Sequence, residues 1–190
     1  MTAGDTHLVS LIPWIVVIAA ASIGTSTDLA SRRLPNWLTF PLVVTGLAFN
    51  AAVGGFAGFG EAFGAMIIVA LPYVLLFVLA MGGAGDAKMM AGVGAWLGFS
   101  HGLVALACVA IAGGVLAVGV GFARGQGRAL TRHLSDSTLG LLAVGRGWVP
   151  VGDLGSVLPT PSSLHRFPYG AAIFAGCTAA AFGVLTWPIS

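Results

Sequence analysis

Six apolar runs, at about residues 8–26, 37–53, 63–82, 87–100, 102–123 and 169–187, constrain this chain more than anything else in it. Most approach the ~20 residues that an α-helix needs to cross a bilayer. Inside lipid no water is available to bond the backbone, so a spanning segment has to satisfy its own N–H and C=O groups, which a helix does. Composition agrees: 57% of residues are hydrophobic and 7% charged, whereas a soluble domain carries about a quarter charged residues. Too few charges remain to cover a surface facing water. The sequence therefore predicts an all-α polytopic membrane bundle of six transmembrane helices, one domain over residues 1–190. The fourth run is short for a full crossing, and the second is marginal. Residues 1–7 hold Asp5 but no Lys or Arg, so the opening run is expected to stay as a helix rather than be removed as a signal peptide.

Basic residues favour the cytoplasmic side of a membrane. With six spans, Arg32, Arg33, Lys88, Arg124, Arg128, Arg132, Arg146 and Arg166 all fall on one side. The other side has only Asp5 and Glu61 as charges. Both termini are thus expected outside, with Asp28 and Asp86 inside. The 124–168 connection is expected to be cytoplasmic. Within it, Leu130, Leu134, Leu141 and Leu142 follow a rough helical period between Arg128, Arg132 and His133, which suggests a short helix over 128–144 lying on the membrane surface.

Two carboxylates stand out in such a chain, because an ionisable group at the end of an apolar segment is costly and marks a functional site. Asp28 closes the first run, and Asp86 follows Gly83 and Gly85 ahead of the fourth. Peptide-bond hydrolysis by carboxylates needs two of them close together, one ionised to take a proton from water and one protonated to polarise the carbonyl. Asp28 and Asp86, at similar depth near the inner interface, meet that need. Lacking a Cβ, Gly83 and Gly85 could let the backbone leave helical geometry and a substrate chain come close. Each acid also has a plainer reading: Asp28 as a partner for Arg32 at i+4, Asp86 as an amino-terminal helix cap. Lys88 reads first as an anchor to lipid headgroups, and Pro35 and Asn36 as the turn that starts a helix.

Other chemistries find little support. Gly98-Phe-Ser100-His101-Gly102 has Gly-x-Ser-x-Gly spacing, but that elbow needs a strand-turn-helix setting. His7 and His101 fall on the opposite side from His133 and His165, and neither His-Glu-x-x-His nor a phosphate-binding Gly-Lys-Ser/Thr ending is present. Cys108 and Cys177 lie far apart in apolar runs and read as small buried residues. No cofactor, metal or nucleic-acid partner is expected; membrane lipid is. The rival class is an ion- or proton-coupled transporter in which Asp28 and Asp86 carry the ion, although both acids sit near one interface and none at mid-depth.

Gly83-Ala-Gly85-Asp86-Ala-Lys88 resembles the Gly-x-Gly-Asp-x-Lys signature of the type IV prepilin peptidases, membrane aspartyl proteases that share Gly-x-Gly-Asp with presenilin and signal peptide peptidase. Asp28-Leu-Ala-Ser-Arg-Arg-Leu-Pro35-Asn36 is similar to the family's first catalytic Asp and the Pro-Asn that follows it, and Phe167-Pro168-Tyr169-Gly170 to the element opening its last helix. The resemblance implies catalytic Asp28 and Asp86, and cleavage of a prepilin leader just after a Gly at the cytoplasmic face of the bacterial inner membrane. No cysteine-rich insertion separates the first two runs, so the chain resembles the short form that serves tight-adherence (Flp-type) pili, without methyltransferase activity. The extended 124–168 connection departs from that short form.

Overall fold

The computed structural model describes residues 3–31, 34–78, 83–123 and 169–186. These form four helices, and no strand occurs among the described residues: α1 (Ala3–Ser31), α2 (Asn36–Val78), α3 (Ala84–Ala123) and α4 (Tyr169–Thr186). Each contains a segment long and apolar enough to cross a membrane. The 124–168 connection, with the surface helix expected over 128–144, lies outside the described residues, as do Arg32 and Arg33.

Where separate runs were expected, α2 joins the second and third, and α3 the fourth and fifth. The gaps between runs predict a loop at 54–62 and a turn at 100–101; instead 54–62 is helical apart from Gly55, and the turn lies at Gly98. At both glycines φ is positive, 62° and 67°, a region that side-chain-bearing residues avoid. The chain doubles back there. Gly94 and Gly102 would lie about 12 Å apart along an unbroken helix, yet a Cβ on Gly102 would be 3.7 Å from the Gly94 Cα. Likewise, a Cβ on Gly58 would overlap the carbonyl oxygen of Asn50.

The first limb of α3 is the axis of the bundle. Residues 92–98 are all buried, which suits a segment apolar on every face. Both limbs of α2 pack against it: a Cβ on Gly92 would meet Leu42 of the first limb, and one on Gly94 the backbone of Ala65 and Met66 in the second. Small residues at such crossings let helix backbones approach closely. Polar groups then weld the contact. Trp96 Nε1 donates to the Leu42 carbonyl at 2.9 Å, Asn50 Nδ2 donates to the Ala95 carbonyl at 2.9 Å, and the Trp96 ring stacks on Phe49. The second limb of α3 carries α4, with Gly176 against Val109 and Gly113 against Tyr169. α1 closes the bundle, touching α4 at Thr25 and Asp28 and α3 through Trp14 and His101, whose rings meet at 5.9 Å.

Candidate active site

Three helix ends converge at one end of the bundle. Asp28 stands in the last turn of α1, Asp86 in the first turn of α3, and Gly170 is the second residue of α4. Both carboxylates are half-buried, and the charge of Asp28 acts on Asp86. Glu61 lies elsewhere. It sits against Gly98 at the turn of α3, about 18 Å from Asp86 by the helical rise.

Asp28 is held from the far end of the sequence. Its Oδ2 accepts the backbone N–H of Gly170 at 3.1 Å, one of the first four N–H groups of α4, which have no acceptor within their own helix. Thr25, one turn before Asp28, completes the clamp: its Oγ1 lies 2.8 Å from both the Ala21 and the Gly170 carbonyl oxygens, its one proton shared between them.

Asp86 enters α3 through a tight start in which its N–H donates to the Gly83 carbonyl at 3.2 Å. A Cβ on Gly83 would face Asp86 Oδ2 at 3.1 Å, so the missing side chain leaves that oxygen uncrowded. Gly85 differs. It is helical, and the space beside it is filled by Leu34, whose Cβ would lie 2.9 Å from a Cβ on Gly85. This glycine admits a neighbouring helix start, not an open approach.

Pro35, Asn36 and Lys88 belong to the same end of the bundle. The Pro35 carbonyl accepts the N–H groups of Leu38 and Thr39, opening α2. Asn36 Oδ1 accepts a 2.9 Å hydrogen bond from Lys88 Nζ, tying that opening to the start of α3. A cavity of about 450 Å³ opens beside this bond, lined by polar Asn36, Thr39 and Lys88 and by apolar Phe40, Val43 and Met66. No group of three His, Cys, Asp or Glu able to hold a metal ion occurs among the described residues.

Two neighbours of the site escaped the sequence reading. Tyr73, from the second limb of α2, is buried, meets Tyr169 edge to face at 5.9 Å, and with Tyr169 lies within the field of Asp86. As one of only two tyrosines, deep in an apolar run, it carried a faint signal. Thr25 carried none, since serines and threonines crowd the end of α1 and mostly bond their own helix, as Ser22, Ser26 and Thr27 do.

A helical bundle apolar enough to cross a membrane, with two aspartates from separate helices at one end, defines a polytopic membrane protein. The comparison with known proteins narrows the class. Residues 15–118 match the Type IV leader peptidase family, and the chain belongs to that family. It is 35% identical over 117 residues to a prepilin leader peptidase/N-methyltransferase of Aeromonas hydrophila and 34% identical over 117 residues to one of Aeromonas salmonicida (strain A449). In both cases the match covers 58% of this chain and 38% of the relative. No solved structure matches the chain.

Proposed function

We propose that this chain is an aspartic endopeptidase that removes the leader peptide from type IV, Flp-like prepilins at the cytoplasmic face of the bacterial inner membrane, with Asp28 and Asp86 as its catalytic pair. The observation that carries the reading is that these two carboxylates, from the end of α1 and the start of α3, lie at the same end of a membrane bundle. In the reaction, the ionised member of the pair takes a proton from water while the protonated member donates to the scissile carbonyl oxygen. The resulting tetrahedral adduct collapses as the leaving amine is protonated. The uncrowded side of Asp86 at Gly83 suits the approach of an extended leader, and the cavity beside Lys88 suits the apolar segment that follows it.

In this reading the turns at Gly55 and Gly98 are membrane hairpins, so that the chain spans six times with both termini outside. Support comes from the fold-back contacts at both glycines and from Lys88 lying at the Asp28–Asp86 end, opposite Glu61. The absence of a cysteine-rich insertion between α1 and α2 supports a peptidase without methyltransferase activity.

The test is co-expression with a cognate prepilin and a mobility shift on leader loss. Asp28→Asn and Asp86→Asn are each expected to slow processing by about 10²- to 10⁴-fold while the protein still accumulates in the membrane. Processing at the wild-type rate by either variant refutes the paired mechanism.

A further inference from the structure

Gly170 lies beyond the matched family region, which ends at residue 118, and its backbone is nevertheless bonded to Asp28. We propose that Gly170 is a positioning residue for cleavage: its N–H holds the Asp28 carboxylate toward Asp86, and Thr25 anchors it from the other side. The proposal rests on reading Asp28 as catalytic.

The geometry leaves little freedom. A carboxylate at the end of α1 has several rotamers, and an N–H from the start of α4 selects one of them. That N–H is itself fixed, because the Thr25 hydroxyl grips the carbonyl of the same residue. The grip also favours glycine. A Cβ at 170 would lie 3.2 Å from Asp28 Oδ2, from Asp28 Cβ and from the Thr25 Cα. The last of these is backbone and gives way less readily than a flexible side chain, so an added methyl is relieved most readily by a small shift of the carboxylate. Tyr169 seats the turn from the opposite flank, its ring against Tyr73 and its hydroxyl over Gly113. The first turn of α4 thus bridges α1 on one side to α2 and α3 on the other.

The experiment measures kcat and KM of detergent-purified enzyme on a purified prepilin. Gly170→Ala is expected to lower kcat by about tenfold, since a shift of a few tenths of an ångström falls short of the ~1 Å misplacement that costs about 100-fold, with KM little changed because the substrate surfaces stay in place. Thr25→Val is expected to lose about tenfold, and Thr25→Ser, which keeps the hydroxyl, to recover it. Gly183→Ala, also in α4 but with open space around it, serves as the control for an added methyl on that helix. It is expected to keep wild-type kcat, and a loss there as large as in Gly170→Ala overturns the proposal. Wild-type kcat in Gly170→Ala overturns the proposal, as does equal activity of Thr25→Ser and Thr25→Val, and the threonine pair decides if Gly170→Ala does not fold. Asp28→Asn in the same assay separates the two readings: should it cleave normally, the catalytic reading itself falls, whereas an inactive Asp28→Asn beside a normal Gly170→Ala sinks only the positioning role.

Discussion

Asp86 and Asp28 were legible as candidates because a carboxylate is expensive among apolar residues. What holds them was not. The Gly170 donor is 142 positions from Asp28, and no local spacing relates a helix end to an acid so distant. Packing decides such pairs. The same holds for Trp96, whose indole N–H finds the Leu42 carbonyl in the buried seam between α2 and α3. Trp96→Phe keeps most of the ring and removes this bond, while the carbonyl keeps the Thr45 hydroxyl as a donor, so it is expected to cost about 0.5–1.5 kcal/mol, read as a lower unfolding midpoint in detergent. The Lys88–Asn36 bond is exposed. Lys88→Met is therefore expected to change stability by less than about 1 kcal/mol, and a larger loss would mean that the bond organises more than the start of α2.

The helices could be read from hydropathy, since a continuous apolar run in lipid has one economical backbone solution. Their junctions could not. Residues 54–62 carry glycine, alanine and phenylalanine, which look like a loop by composition but continue as helix once a single glycine has reversed the chain. Gly98 was hidden in the same way, two residues before the expected turn. The backbone at Gly98 gives a direct test. Gly98→Ala forces a side chain into positive φ beside the Glu61 carboxylate and is expected to destabilise by about 1–3 kcal/mol. Gly114→Ala, in helix with open space around it, is expected to be neutral or stabilising by up to about 1 kcal/mol. Equal unfolding midpoints for the two variants would show that the kink at Gly98 imposes no such demand.

The bundle as a whole has two unlike ends, one gathering Asp28, Asp86, Lys88 and Asn36 and the other gathering Glu61, His101 and Trp14. Which end faces the cytoplasm is a matter of basic residues, and most of these fall outside the described helices. Thiol labelling of intact cells supplies the answer. With Cys108 and Cys177 replaced by alanine, a membrane-impermeant reagent is expected to reach Gly60→Cys from outside and to miss Ser31→Cys. Reversed labelling would invert the orientation and move the carboxylates away from any cytoplasmic leader.

The bond from Gly170 to Asp28 also has a consequence for biosynthesis. The acid is made early and the group that holds it late, after the whole 124–168 stretch has left the ribosome. A nascent chain carrying α1 to α3 already owns both carboxylates, but one of them still lacks its holder. On the proposed role of Gly170, full activity would then arrive only with the final helix.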